Sequence, residues 1–367
     1  MSKRTIVYLL LISIFVLSLP ACGSATPTQA PAATLPPTAV PPTAVPPTAA
    51  PPTAVPPTTI PPVHIAVFFP VLGNSYTKAF TDGIADAAQK MGATADNFGA
   101  DPAYDAIAQS HQIQDAITSK KYDVFIIYAC DGNAVVPDVE DALAAGIKVI
   151  AADVVIGPNT TSFAPYPGVV SYIGRTGISN GTMLGQMIVS ACATVTSATC
   201  KVGYLIGAQA LTIDQDRITA INSVLASHTN IKIVASQEAF YLQDKGYEVA
   251  QNMLQAHPDI NVFSTSGDQM MLGAQQAVKD AGLTGKVLLI GNGTSKEGYA
   301  EIKAGTWFAD YADIPYTEGQ ISGQVAINAV RGIPVLTSVN NDDQRPPLPP
   351  DGPIITKENV DLFTPQW

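Results

Sequence analysis

The amino-acid sequence predicts an α/β protein with two doubly wound lobes, each containing a parallel β-sheet between layers of helices. Short apolar runs rich in β-branched residues alternate with stretches of helical periodicity from residue 63 onward. This alternation is typical of βαβ units in sheets that are buried on both faces. The runs number roughly nine, which is too many for one open sheet of ordinary width. The pattern alone leaves a barrel of alternating strands and helices as an alternative.

Residues 1–21 are predicted to be a lipoprotein signal peptide. Lys3 and Arg4 precede an apolar run over residues 6–19, which is too short to span a ~30 Å hydrocarbon core but suits a signal-peptide h-region. The segment Leu19-Pro20-Ala21-Cys22 resembles a lipobox, in which the cysteine thiol receives a diacylglycerol. The resemblance implies that Cys22 is the lipidated first residue of the mature chain. An ordinary secretory signal with an incidental cysteine is the alternative.

Residues 22–62 are predicted to be a Pro/Thr-rich tether. Half of the 30 prolines lie in residues 1–62, and residues 36–60 consist of consecutive pentads that begin Pro-Pro-Thr. Proline fixes φ and removes a donor, so this stretch favours polyproline II over helix or sheet. No second long apolar run follows, which predicts that the protein contacts the membrane through its N-terminal lipid only.

The folded part, from residue 63, contains the predicted strands and helices. The strands are predicted at 64–69, 123–129, 148–152, 169–173, 201–206, 231–236, 260–264, 286–290 and 306–309. Helical periodicity marks segments such as 75–91, 103–118, 134–145, 177–191 and 243–256.

Composition and motifs disfavour two classes of function. The net charge of −11 lacks the basic footprint of nucleic-acid binding. The four histidines form no HExxH-type pair, and the glycines form neither a GxGxxG motif nor a P-loop. We therefore predict no nucleic-acid partner, no cofactor, no metal site and no enzymatic activity.

Polar and aromatic side chains follow the ends of several predicted strands. Ligands bind outside the carboxyl ends of the strands in open α/β sheets, so these residues are candidates for a binding site. Carboxylates, amides, a planar arginine fork and aromatic faces together are typical of a carbohydrate site. The candidates are Asn74, Tyr76, Asp131, Asp153, Arg217, Tyr241, Asp268, Asn292 and Asp310. For each residue alone, a helix cap or a surface loop position is the alternative.

Five segments resemble the periplasmic ribose-type sugar-binding proteins, which are type I solute-binding proteins of ABC importers. The segments are 72–93, 120–153, 235–282, 290–310 and 356–363. The resemblance implies the type I periplasmic-binding-protein fold, with two lobes that are joined by a three-strand hinge and close on the ligand. It implies an N-terminal lobe of residues 63–174 plus 311–340 and a C-terminal lobe of residues 175–310 plus 341–367.

The resemblance also implies a function. The expected protein is a monomeric lipoprotein of the cell envelope, held outside the cytoplasm by its lipid anchor. It would capture a monosaccharide or similar polyol and deliver it to an ABC permease and ATPase complex. The alternative is a sensor that presents a sugar, nucleoside or furanosyl signal to a membrane receptor.

Carried over residue by residue, the resemblance gives roles to most of the candidates. Sugar hydroxyls are expected to bind Asn74, Asp153 and Arg217, and the sugar ring to lie between Tyr76 and Tyr241. Three positions depart from the family's Arg, Asp and Gln, namely Val154, Asn292 and Asp310. Because buried polar groups must match those of the ligand, ribose itself is not predicted. For Arg217, an ion pair with Asp214 or Asp216 on a helix surface is the alternative.

A disulfide is predicted between Cys192 and Cys200. Export would place the domain where disulfides persist, and both cysteines lie at the ends of one short connection between a predicted helix and strand. Cys130 is then left as a buried free thiol. Two reduced cysteines, or a pairing that involves Cys130, are the alternatives.

Overall fold

The structure is a computed structural model that describes residues 61–348 and 352–367. The strands are β1 (Val63–Phe69), β2 (Ala93–Gly99), β3 (Val124–Ile127), β4 (Lys148–Ala152), β5 (Ser171–Gly174), β6 (Cys200–Ile206), β7 (Ile231–Glu238), β8 (Val262–Thr265), β9 (Leu288–Ile290), β10 (Asp310–Tyr311), β11 (Ser338–Asn340) and β12 (Ile354–Ile355). The helices are α1 (Ser75–Met91), α2 (Ala106–Ser119), α3 (Val136–Ala144), α4 (Gly177–Cys192), α5 (Thr212–Leu225), α6 (Gln243–Ala256), α7 (Asp268–Asp280), α8 (Lys296–Ala304) and α9 (Pro315–Val330). Within these ranges, no helix combines the length and apolar character needed to cross a bilayer. The predicted signal peptide, Cys22 and nearly all of the predicted tether lie outside the described residues.

The first sheet has six strands in the order β11-β5-β4-β3-β1-β2, and all of its pairings are parallel. Strand β1, which lies between β3 and the edge strand β2, is buried on both faces. Val67 packs towards Phe80 and Ile84 of α1, while Phe68 packs towards Ile113 of α2. Helix α9 covers the same face as α1 and packs against it. Burial on both faces explains why β1 has a continuous apolar sequence rather than an alternating one.

The second sheet has four parallel strands in the order β7-β6-β8-β9. Helices α4 and α5 pack together on one face, and α6 and α7 pack together on the other. Strand β10 pairs antiparallel with β12, and Ala309 just before it bridges to Ile290 of β9. The predicted fold class of two parallel-sheet lobes is therefore confirmed, and the single barrel is excluded.

The chain passes between the sheets three times, after β5, after β10 and after β11. The predicted boundary between the lobes at residues 310/311 falls inside β10, which lies beside the second sheet. The second of the three crossings therefore comes later, between Ala312 and the start of α9. The strand predicted at 306–309 starts too early. The amides of Thr306 and Trp307 bond to the carbonyl of Glu301 and close the turn after α8, whereas pairing with β9 starts at the amide of Phe308, which bonds to the carbonyl of Leu289.

The structure contains the disulfide Cys192–Cys200, with 5.6 Å between the Cα atoms. It joins the last residue of α4 to the first residue of β6. Cys130 is buried and has no disulfide partner among the described residues. These placements agree with the predicted local bridge and with the predicted buried thiol.

Candidate ligand-binding cleft

A cleft of about 520 Å³, including the part open to solvent, lies between the carboxyl ends of the two sheets. The first sheet and its helices contribute Pro70, Val71, Asn74, Tyr76, Thr77, Tyr104, Tyr128, Asp153 and Arg175. The second contributes Leu211, Arg217, Tyr241, Ser266, Gly267, Gln269 and Asn292, and the wall is completed by Asp313 and Trp367.

The lobes touch each other around the mouth of this cleft. The hydroxyl of Tyr104 donates to the carbonyl of Phe240 at 3.1 Å, and Gln269 Nε2 donates to Ser75 Oγ at 3.4 Å. On another side, Thr160 Oγ1 donates to Asp216 Oδ1 at 3.1 Å. Because each contact joins one lobe to the other, the structure is a closed form of the protein.

Asp153 and Arg175 form the charged centre of the first lobe's wall. Asp153 directly follows β4 with a φ of +56°, and Gly174 approaches it so closely that a Cβ at 174 would lie 2.9 Å from the Cα of Asp153. The guanidinium of Arg175 lies 3.3 Å from Asp153 Oδ1 and 2.7 Å from Asp313 Oδ2. It therefore bridges two carboxylates while its Nε, which is buried, has no partner among the described residues.

A third carboxyl, that of Glu318 on α9, is buried near the same guanidinium. Burial raises the pKa of Glu318 well above its usual value, and the charges of Asp153 and Asp313 raise it further. Its Oε2 accepts from Asn341 Nδ2 at 2.7 Å. The buried carboxyl of Glu318 therefore holds its proton more tightly than an exposed glutamate does.

Arg217 supplies the cation of the opposite wall. It lies on α5, is 3% exposed, and donates from Nε to Asn180 Oδ1 at 2.6 Å. Its Nη1 donates to Asp214 Oδ1 at 3.1 Å and to the hydroxyl of Tyr241 at 2.8 Å. Arg217 thus pairs with Asp214 as the alternative proposed, but the pair is buried at the cleft and not exposed on a helix surface. Its Nη2 makes no hydrogen bond with the described residues.

Aromatic rings form much of the remaining wall. Tyr104 and Tyr241 have ring centroids 6.2 Å apart, and Tyr76 meets Trp367 edge to face at 5.5 Å. The hydroxyl of Tyr76 is buried without a partner among the described residues. Burial raises the pKa of Tyr76 well above its usual value, so this hydroxyl stays protonated and can donate to a ligand.

The two candidate asparagines differ in how much of each amide is free. Asn74 precedes α1, and its Oδ1 accepts from the amide of Thr77 at 2.8 Å as a helix cap. Its Nδ2 makes no hydrogen bond with the described residues. Asn292 is held on both sides, because Nδ2 donates to the carbonyl of Ser266 at 2.8 Å and Oδ1 accepts from Asn180 Nδ2 at 2.9 Å.

Three of the predicted ligand-binding residues do not line the cleft: Asp131, Asp268 and Asp310. Asp131 instead accepts from the amides of Asn133 and Ala134 at 2.8 and 3.0 Å, which holds the turn before α3. For Asp131 the helix-cap or loop alternative therefore fits the geometry better. The other two residues lie behind the wall, where they support the segment that carries Asn292.

Asp268 and Asp310 form a buried carboxyl pair beneath that segment. Asp268 accepts from the amide of Ser295 at 2.7 Å and from the amide of Asn292 at 2.9 Å, and Asp310 accepts from the amide of Gly293 at 3.1 Å. The two carboxyls lie beside each other next to Gly298, and Asp310 Oδ2 has no hydrogen-bond partner among the described residues. Burial raises the pKa of Asp268 to about 6, and burial together with the charge of Asp268 raises the pKa of Asp310 well above its usual value. The Asp310 carboxyl therefore holds its proton more tightly than an exposed aspartate does.

This pair predicts that stability falls as the pH rises. Both carboxyls hold a proton more tightly in the folded chain than at the ordinary Asp pKa of 3.8. The stabilisation is therefore fully present below about pH 4 and is lost as the pH rises through the pKa of about 6 and beyond. In Asp310→Asn, a neutral amide of similar shape replaces the titrating carboxyl, so the melting temperature should change less between pH 4 and pH 8. Equal pH dependence of the melting temperature in variant and wild type would contradict this. The pKa of Glu318 is also raised by burial, but Glu318 is present in both proteins and so does not affect the comparison.

Several lining residues were missed by sequence reasoning: Tyr104, Tyr128, Arg175, Asp313 and Trp367. Arg175 closely follows the strand predicted at 169–173, so the rule on strand ends could have found it. Arg175 also supplies a guanidinium beside Asp153, although Val154 departs from the family's arginine at the position after this aspartate. For Trp367 no sequence signal exists, because only the path of the tail brings it to the cleft.

Among the described residues, no group of His, Cys, Asp and Glu could hold a metal ion.

The region of this chain that matches known proteins includes both sheets. The family profile described as a periplasmic binding protein domain matches residues 65–334. The ribose import binding protein RbsB of Salmonella typhimurium is 28% identical over 268 residues, which cover 73% of this chain and 85% of that protein. The D-ribose/D-allose-binding protein of Pseudomonas aeruginosa is 30% identical over 232 residues, covering 62% of this chain and 69% of that protein. A crystal structure of an ABC transporter solute binding protein from Mycobacterium smegmatis with bound glycerol aligns with a TM-score of 0.70 at 25% identity, covering 84% of this chain and 99% of that one.

Proposed function

Because this chain belongs to the periplasmic binding protein family, we propose that it captures a small sugar or sugar-like polyol outside the cytoplasm and delivers it to an ABC importer. The observation that carries the proposal is the closed cleft, whose wall combines buried charged hydrogen-bonding groups with aromatic rings. It acts by binding and release, without a chemical step.

The charges of the cleft disfavour an anionic ligand. Arg175 faces two carboxylates, Asp153 and Asp313, and Arg217 faces Asp214, so neither arginine lacks a counter-charge. An anionic ligand would be buried beside these carboxylates without a free cation, which is costly. A ligand rich in hydroxyl groups instead satisfies donors and acceptors together.

Three donors at the wall are available for such hydroxyl or ring oxygens. They are Arg175 Nε and the hydroxyl of Tyr76, which are buried without a partner among the described residues, and Arg217 Nη2, since the bonds of Arg217 to those residues use only Nε and Nη1. Buried donors without partners are unfavourable, so a ligand that accepts from them gains affinity and discrimination. The aromatic rings beside them provide faces for the C–H groups of a sugar.

The identity of the relatives supports the same class of ligand and partner. Two curated relatives are named for ribose import and for ribose and allose binding, and the aligned structure holds glycerol and is named as an ABC transporter component. We infer that the partner of this chain is a permease and ATPase complex, that the protein acts as a monomer, and that its ligand is a monosaccharide or polyol.

A thermal-shift screen of residues 61–367 tests the proposal. The panel contains D-ribose, D-allose, myo-inositol, glycerol and, as a competing class, adenosine. A ligand at 100 times its dissociation constant stabilises the folded state by about 2.7 kcal/mol, so a sugar or polyol should raise the melting temperature. Stabilisation by adenosine alone, or by none of the compounds, would contradict the proposed function.

We also propose that Cys22 anchors the protein in the cell envelope through a lipid. The support is the apolar run at 6–19 followed by Leu19-Pro20-Ala21-Cys22. We expect Cys22→Ser to abolish partition into the detergent phase, because the acceptor thiol is removed. Phase separation and mass spectrometry of the mature N-terminus measure this, with Cys130→Ser as the matched control that keeps the anchor. Processed Cys22→Ser protein in the detergent phase would contradict the anchor.

A further inference from the structure

The last two residues of the chain lie between the lobes, beyond the region that the family profile matches. Trp367 is anchored on the second lobe, where its Nε1 donates to the carbonyl of Gly293 at 3.0 Å and its carbonyl accepts from the amide of Lys296 at 2.8 Å. Gly293 has a φ of +147°, and a Cβ there would lie 2.4 Å from the indole ring. The loop that carries Asn292 is thus shaped to receive this tryptophan.

The same segment contacts the first lobe. The indole of Trp367 meets the ring of Tyr76 edge to face at 5.5 Å. Gln366 makes two hydrogen bonds with Thr317 of α9, because its Oε1 accepts from the amide at 3.0 Å and its Nε2 donates to Oγ1 at 2.7 Å. Residues 366 and 367 therefore connect the two lobes in the closed form.

Trp367 also lies at the boundary between the cleft and its mouth. It lines the cleft together with Tyr76 and Asn74, and it lines the adjoining outer groove together with Leu72 and Leu242. Its side chain is nevertheless buried, with the residue only 7% exposed. The indole therefore separates the bound-ligand space from solvent on this side.

We propose that Trp367 is a specificity-determining wall of the ligand site and that Gln366 and Trp367 together form a C-terminal clasp that stabilises the closed form. The indole fixes the ring of Tyr76, so that the unpartnered hydroxyl of Tyr76 can donate to the ligand. The indole also excludes water from the site. This inference rests on the proposed function, since the ligand is taken to be a sugar or polyol.

Affinity measurements test the role of the wall. With D-ribose and D-allose as probes, calorimetry should show binding to Trp367→Ala weakened by about two- to twelvefold, the equivalent of one lost aromatic contact. Trp367→Phe keeps a ring against Tyr76 and should lose less affinity, and Gln366→Ala should weaken binding without changing the preference between the two sugars. Leu362→Ala, at an exposed position of the same tail, is the control. Unchanged affinity of Trp367→Ala, with the wild type still binding a sugar, would overturn the clasp and leave the proposed function standing.

A second measurement needs no ligand. The chain has two tryptophans, and Trp307 is buried in the second lobe away from the cleft, so Trp307→Phe leaves Trp367 as the single indole reporter. In the double variant Trp307→Phe/Tyr76→Ala, Trp367 loses its contact with Tyr76 of the first lobe. We expect its fluorescence emission to shift to longer wavelength and its acrylamide quenching constant to rise. Trp307→Phe/Tyr166→Ala, which removes a tyrosine far from Trp367, is the control. Identical quenching in all three proteins would overturn the inference, whether or not a sugar of the panel binds. The absence of sugar binding would separately contradict the proposed function.

Discussion

Arg175→Ala is expected to lower the free energy of unfolding by about 3–5 kcal/mol, the usual cost of removing one partner from a buried ion pair. The guanidinium is 2.7 Å from Asp313 Oδ2 and 3.3 Å from Asp153 Oδ1, and it lies over the ring of Tyr311 at 5.3 Å. All of these groups are nearly inaccessible to solvent. Without the cation, two buried carboxylates repel each other in a medium that solvates them poorly, so we expect the loss to be large.

Chemical denaturation of wild type and variants measures this effect. Lys201→Ala is the matched control, because it removes a cation from an exposed pair with Asp259 and should cost less than about 1 kcal/mol. Asp313→Asn in the Arg175→Ala background removes one of the stranded charges and should restore part of the stability. A loss in Arg175→Ala no greater than in Lys201→Ala would show that the buried cluster is not held together by this guanidinium.

The second large effect concerns ligand affinity. Asp153→Ala and Arg217→Ala are each expected to weaken binding by about 2–5 kcal/mol, since each removes a charged hydrogen-bonding group and leaves its partners unpaired in the cleft. Asp153 comes from the first lobe and Arg217 from the second, so the two variants test both walls of the closed site. For Arg217, the available Nη2 is the group expected to donate to the ligand.

Calorimetry with the sugar or polyol that the thermal-shift screen identifies measures these affinities. Asp131→Ala provides an internal control, because the sequence predicts a ligand contact at this residue whereas the structure places it in the turn before α3. We expect Asp131→Ala to bind like the wild type. Tight binding that survives in both Asp153→Ala and Arg217→Ala would contradict the assignment of the site.

The elements that sequence reasoning located correctly are those with strong local patterns. Helix α1 begins and ends at the predicted residues, with Asn74 as its cap and the left-handed Gly92 at its end. Strand β1 is recognisable because burial on both faces requires a continuous apolar run. The rule that ligands bind at strand ends likewise identified Asn74, Tyr76, Asp153, Arg217, Tyr241 and Asn292 as cleft-lining residues.

Elements with weak local patterns were missed. Strand β2 pairs only with β1 at the edge of its sheet, and its sequence Ala-Thr-Ala-Asp-Asn-Phe-Gly mixes polar and small residues and is partly exposed. Edge strands need no apolar run on both faces, so hydrophobic periodicity does not reveal them. Strand β12 has two residues and exists because the tail returns to β10.

The sequence by itself determined the two-lobed α/β fold and placed several polar residues at the cleft, because these follow from periodicity and from the position of residues relative to strand ends. Only the tertiary structure decided which side chains line the cleft. Asp268 and Asp310 follow the same strand-end rule as Asp153, yet they turn towards each other and towards the amides of a loop. Trp367 reaches the cleft because the tail packs across Gly293. Side-chain direction and contacts between distant segments depend on how the lobes close, and no local pattern encodes them.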